Sequence, residues 1–318
     1  MRRSPFAVFA WANVAYTILV ILWGAFVRAT GSGAGCGDHW PLCDGQVIPR
    51  APDVEQLIEF SHRVTSGLAL LGVLGMAAWA WRAYPRGHIV RRGAFVSLGF
   101  MVLEALIGAA LVLFELVATN VSAARAVIIA LHLANTFLLL AAMALTAWWA
   151  GGGAPLRVRG SGRLGWALGA GLLGTILVGS SGAITALGDT LLQLGAIPGG
   201  VSQPLSGAHP LVQLRVIHPV LGTIVGVYAI FLARAVARER PAAWRLAWGL
   251  SALFIAQIVL GGLNVTLKAP VWMQLVHLLM ADLVWLGLVL LSALALARPA
   301  EAGAPAPARL SAAPSPGD

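Results

Sequence analysis

Four histidines, His62, His132, His218 and His277, each stand inside a long apolar run and near one end of it. Ionisable side chains in such runs are costly and mark functional sites. Neutral imidazole binds haem iron, and a four-helix bundle can present one imidazole from each of two facing helices. Paired as His62 with His132 and His218 with His277, the four would hold two porphyrin irons. Copper or another metal would accept the same donors. The other histidines, His39, His88 and His209, fall between the runs and read as solvated loop residues.

The two pairs differ in their surroundings. Glu59 precedes His62 by three residues, so on a helix the two share a face, and Arg63 follows directly. A carboxylate beside a metal ligand can orient it or move protons, which makes the first half the reactive one. An interfacial ion pair of Glu59 with Arg28 or Arg63 is the structural alternative, and the two are compatible. His218 has only Gln213 or Leu214 near the corresponding place and is followed by Pro219, so the second half reads as a plain cofactor or electron site. Glu104 and Asp282 are isolated acids within apolar runs. Each is either a functional group or a carboxyl bonded to a neighbour such as Asn135 or Gln257. Arg125, Arg215 and Lys268 lie near the histidine ends and could hold haem propionates. The loop Thr30-Gly-Ser-Gly-Ala-Gly-Cys36-Gly-Asp-His-Trp-Pro-Leu-Cys43 is rich in glycine and carries an interfacial Trp40-Pro41. Its cysteines could close a disulfide. A redox-active thiol pair, or a zinc site shared with Asp38 and His39, would use the same residues.

Eight elements must position these groups. The chain of 318 residues is 59% hydrophobic and only 10% charged, with a mean hydropathy of +0.84. A soluble domain carries about 25% charged residues, so this is a polytopic all-α membrane protein. Spans of about 20 apolar residues fall at roughly 6–27, 61–81, 93–114, 125–149, 164–184, 213–234, 244–263 and 271–297. The first is too long for a signal-peptide core and is read as a retained span. Of the 21 Lys and Arg residues, 15 fall on one side, in the termini and in or flanking the short connections 82–92, 150–163 and 235–243. The long connections 28–60 and 185–212 are on the other side. This asymmetry places both termini in the cytoplasm and the two long loops outside. It also makes the net charge of +9 topological, so no nucleic-acid partner is expected. The Ala/Pro/Gly/Ser stretch 298–318 reads as a disordered cytoplasmic tail.

The spans repeat. Gly24-Ala-Phe-Val-Arg28-Ala-Thr30 in span 1 corresponds to Gly179-Ser-Ser-Gly-Ala183-Ile-Thr185 in span 5, and Glu104-x-x-x-Gly108 in span 3 to Gln257-x-x-x-Gly261 in span 7. Four spans per half keep the orientation, so a parallel repeat about the membrane normal is expected. It would give two pseudo-symmetric four-helix bundles, 1–150 and 151–297.

At these residues the chain resembles the haem A synthase family, membrane enzymes that convert haem O to haem A. The similar residues are Gly24-x-x-Val27-Arg28-x-Thr30-Gly31-Ser32-Gly33, the Cys36 to Cys43 loop around Asp38-x-Trp40-Pro41, Glu59-Phe-x-His62-Arg63, His132, His218-Pro219 and His277. The resemblance covers all eight spans. It implies a haem b on His218 and His277 in the second bundle. It also implies a haem O substrate near His62 and His132, with Arg28 and Arg63 beside it and Glu59 needed for activity. The cysteine pair, Cys36 with Cys43, is implied to be of the bacterial subtype. His39, between Asp38 and Trp40, departs from the Asp-Trp-Pro of many members. The implied reaction oxidises one haem methyl to formyl through hydroxylated intermediates, with an electron donor, haem O synthase and oxidase assembly factors as partners. A di-haem electron-transfer protein would use the same histidines without altering either haem, and a transporter would show helices broken at mid-membrane.

Overall fold

A computed structural model describes residues 4–198 and 209–297. The expected tail, 298–318, lies outside the described residues. All regular structure among them is helical, and eight helices are long and apolar enough to cross a membrane. They are α1 Pro5–Ala29, α2 Val54–Ala83, α3 Ile89–Leu113, α4 Ala123–Ala150, α5 Gly162–Gln193, α6 Ile217–Glu239, α7 Trp244–Thr266 and α8 Val271–Leu296. A helical turn Pro210–Gln213 and a 3-10 turn Leu214–Val216 lead into α6. No span is interrupted at mid-length, so the broken helices of a transporter are not found among the described residues.

Two elements run past their apolar segments. α2 begins at Val54, because the Asp53 carboxylate accepts from the Gln56 N–H and caps an orphan donor there. Glu59 and His62 therefore sit in the second and third turns of a formed helix. α5 continues to Gln193, carrying Asp189 in the middle of its last two turns. The Asp189 carboxylate meets the Arg215 guanidinium at 2.7 Å, while Leu187, Leu191 and Leu192 bury beside it.

Helices α1 to α4 contact one another in a ring, as do α5 to α8, but the halves also share surface through α4 with α5 and α8, and α1 with α5 and α8. The last helix is central. In its apolar window 61% is buried, against 17% in α3, so α8 is walled by protein where α3 faces outward. Trp285, Leu286 and Val289 of α8 enter the core of the first half, while Val284, Leu288 and Leu291 enter that of the second. Trp285 stacks on Phe137 of α4 with centroids 5.1 Å apart, and its indole N–H donates to the Phe137 carbonyl at 2.6 Å. On the Arg-rich side, guanidinium groups lie over indoles, Arg234 over Trp248 and Arg91 over Trp81. Such cation–π pairs suit a membrane interface.

Candidate functional site

Each span histidine lies against a glycine of another helix in the same half. A Cβ placed on Gly24 of α1 would stand 2.8 Å from His62 Cε1, and one on Gly182 of α5 would stand 2.8 Å from His218 Cε1. The same contact is 3.2 Å for Gly261 of α7 with His277, and 4.0 Å for Gly108 of α3 with His132. Contacts under 3.0 Å cannot be made by a real Cβ, so at Gly24 and Gly182 only glycine lets the imidazole lie flat on the neighbouring backbone. The structure also corrects the repeat: the partner of Gly24 is Gly182, not Gly179, which instead packs against Phe137.

In the second half the structure brings His218 and His277 together, with ring centroids 6.2 Å apart and planes at 88°. Two imidazole–metal bonds of about 2 Å, plus the distance from each nitrogen to its ring centre, add up to roughly that separation. His218 Nδ1 lies 3.2 Å from both Ser181 Oγ and the Val178 carbonyl, which leaves Nε2 as its free nitrogen. A pair of imidazoles at this spacing fits the axial positions of one porphyrin iron. Among the described residues no three His, Cys, Asp or Glu side chains converge as a metal cage would require.

In the first half His62 lies against Gly24 and His132 beside Gly108. Glu59 is 3% exposed, and its carboxylate is occupied. Oε2 accepts the Cys36 backbone N–H at 2.8 Å, and Oε1 accepts from both Nε and Nη2 of Arg63, in one i, i+4 ion pair. Arg63 Nη1 donates in turn to the carbonyls of His39 and Leu42. Cys36 and Cys43 form a disulfide, which removes the free-thiol state and the zinc reading with Asp38 and His39. The loop is therefore latched onto α2 at both ends of the disulfide ring, by Glu59 and by Arg63.

Arg28 does not pair with Glu59. It crosses to the second half, donating to the Ala186 carbonyl at 2.7 Å, to Thr190 Oγ1 at 2.6 Å and to Gln274 Oε1 at 3.0 Å. Arg125 donates to the carbonyls of Ala118 and Asn120, and Arg215 pairs with Asp189, so both already have protein partners. Glu104 accepts from Asn135 and Thr136 of α4, as the bonded alternative required. Asp282 is fully buried and neither oxygen has a hydrogen-bond partner. The sequence does not reveal the glycine contacts or the Arg28 crossing. It shows the spacing Glu104-x-x-x-Gly108, but not that the glycine lies beside His132.

The sequence matches the cytochrome oxidase assembly protein family, COX15-CtaA, over residues 7–289. It is 56% identical to a Thermus thermophilus protein named protoheme IX farnesyltransferase, over 94% of this chain and 50% of that one. Over 36% of the chain it is 46% identical to a Geobacillus kaustophilus protein named heme A synthase, of which 36% is covered. A protein of the same name from Halalkalibacterium halodurans is 40% identical over 36% of the chain and 38% of its own length. The chain thus spans about half the length of the Thermus relative.

Proposed function

Because the chain belongs to the cytochrome oxidase assembly protein family COX15-CtaA, we propose that it is a haem A synthase, an oxidoreductase that converts a methyl group of haem O to formyl. The observation that carries the reading is the doubled arrangement of histidine on glycine. Two imidazole pairs at the same ends of two helix sets provide two haem sites, and only the first has a buried carboxylate one turn from a ligand. The halves then act as pseudo-symmetric bundles with divided labour.

His218 and His277 would hold haem b, whose iron supplies one-electron chemistry when bound. His62 and His132 would orient the substrate haem. The loop, held to Glu59 and Arg63 beside His62, would shield that site from water. Glu59 would hold or pass a proton at Oε1 or Oε2, with Arg63 fixing its position. Arg28, near the same end, ties the substrate half to the cofactor half. The basic-residue asymmetry supports this end lying outside the cytoplasm with both termini inside, and the haem A synthase reading would put the chain in the bacterial inner membrane.

The name of the Thermus relative describes prenyl transfer to protohaem. Such a reaction releases diphosphate and calls for clustered acids holding magnesium, and no such cluster occurs among the described residues. Prenyl transfer is better assigned to a partner that supplies farnesylated haem, the substrate class proposed here. The test is to express the chain in membranes that make haem O and to separate the extracted haems by chromatography. Haem A appearing only with the protein supports the reading. Two retained but unmodified haems would replace it with a di-haem electron carrier.

A further inference from the structure

Glu104 and Gln257 occupy equivalent places. Each lies four residues before a glycine that meets a histidine of the neighbouring helix, Gly108 under His132 and Gly261 under His277. The residue one turn before the glycine therefore reaches the imidazole in both halves, at Nε2 of His277 and at Nδ1 of His132. Gln257 Nε2 stands 3.3 Å from His277 Nε2 and donates to the His277 carbonyl at 3.1 Å. In the first half the corresponding group is an acid, and Glu104 Oε1 stands 3.4 Å from His132 Nδ1. The carboxylate is not free to swing away, because the Thr136 hydroxyl donates to Oε1 and the Asn135 amide donates to Oε2. Both donors lie on α4 within four residues of His132, so the helix that carries the imidazole also clamps its acid. Among the described residues, His132 is the one span histidine with a carboxylate oxygen within 4 Å. Nδ1 of His218 meets only a hydroxyl and a carbonyl.

We propose that Glu104 is a positioning residue for His132: its Oε1 accepts the Nδ1–H of the imidazole, fixes the tautomer and aims Nε2 at the substrate haem iron. This rests on the reading of His132 as an axial ligand. The two atoms stand 3.4 Å apart and His132 Nδ1 makes no hydrogen bond in this arrangement, so the bond requires the imidazole to turn toward Oε1. A histidine that donates to a carboxylate is a more basic metal ligand than one bonded to a neutral group. The substrate half is therefore built to favour the ferric state of its haem, next to the methyl that loses electrons. The second half, with glutamine in the equivalent place, lacks that bias.

The experiment is a spectroscopic redox titration of the purified full chain loaded with haem O, resolving two components. The first-half component is the one lost in His62→Ala and His132→Ala. In Glu104→Gln and Glu104→Ala its midpoint should move to higher potential, more in the alanine variant, while the other component stays fixed and reports that the protein is folded. An unmoved first component in both Glu104 variants, with full haem occupancy, overturns the inference while the ligand reading stands. A first component that survives His132→Ala overturns the ligand reading, and the inference with it.

Discussion

The Glu59 carboxylate has three donors, one backbone N–H of the disulfide loop and two nitrogens of Arg63, so its removal has two separable consequences. One is a looser loop and the other a lost proton carrier. Glu59→Gln keeps the shape and one acceptor but cannot exchange a proton in the same way. It should fold and retain the second-half haem. Its haem A yield should fall by about 100-fold or more, the scale of general acid–base catalysis, with haem O or a partly oxidised intermediate accumulating. Arg63→Gln breaks the same ion pair and leaves the carboxylate in place, so its loss should be smaller, about tenfold or ~1.4 kcal/mol. Equal losses in the two variants, measured by haem chromatography at matched protein level, would reduce Glu59 to a latch. The glycines divide the two sites in the same way. Gly182→Ala drives a methyl to 2.8 Å from the His218 ring and should remove the haem b spectrum. Gly24→Ala does so at His62, and should spare haem b while abolishing haem A. Both variants losing the same haem would contradict the assignment of separate sites.

The loop between α1 and α2 acts as a unit because its ring of eight residues is closed by Cys36–Cys43 and pressed onto α2. A Cβ on Gly35 would stand 2.5 Å from the Glu55 carbonyl carbon and 2.6 Å from the Gln56 nitrogen, and rigid backbone cannot yield to it. Cys36→Ser should lower stability by about 2–3 kcal/mol on the loop-closure account, visible as a lower melting temperature in detergent. Labelling of the native protein should find no reactive thiol until reductant is added. Two freely labelled cysteines before reduction would remove the disulfide from the account. How much of this was legible in the sequence depends on range. The span positions, the four histidines and the cysteine loop follow from local pattern, since apolar runs and their polar interruptions are visible residue by residue. The early start of α2 was recoverable from Asp53 as an N-cap, but hydropathy stops at the first polar turn. The far end of α5 was hidden because Asp189 looks like a loop residue until Arg215 is folded against it. The histidine–glycine contacts were hidden because they join residues of different helices, and neither period nor propensity records such pairs.

The molecule as a whole is not two bundles set side by side. α8 feeds one face into each core, and the Trp285–Phe137 stack joins it to α4. At the histidine end the tie is polar. Arg28, from the first helix, donates to a carbonyl and a hydroxyl of α5 and to Gln274 of α8, and Gln274 itself donates to the Ala269 carbonyl at 2.7 Å. Hydrogen bonds from a charged donor contribute about 1.5–3 kcal/mol each, and a buried acceptor left without its partner costs more than the bond was worth. Arg28→Ala removes three such bonds at once, although the Ala186 carbonyl keeps the Thr190 hydroxyl as a donor, so the half-to-half contact should loosen before either helix set unfolds. The expected outcome is a lower melting temperature with both haems still bound, and a haem A yield that falls because the two sites no longer hold a fixed separation. Arg28→Lys keeps the charge but cannot reach all three acceptors from one ammonium, and should lie between wild type and alanine in both measurements. If Arg28→Ala instead melts like wild type and loses only the substrate haem, the guanidinium serves as a substrate contact and the halves are held together by α8 alone.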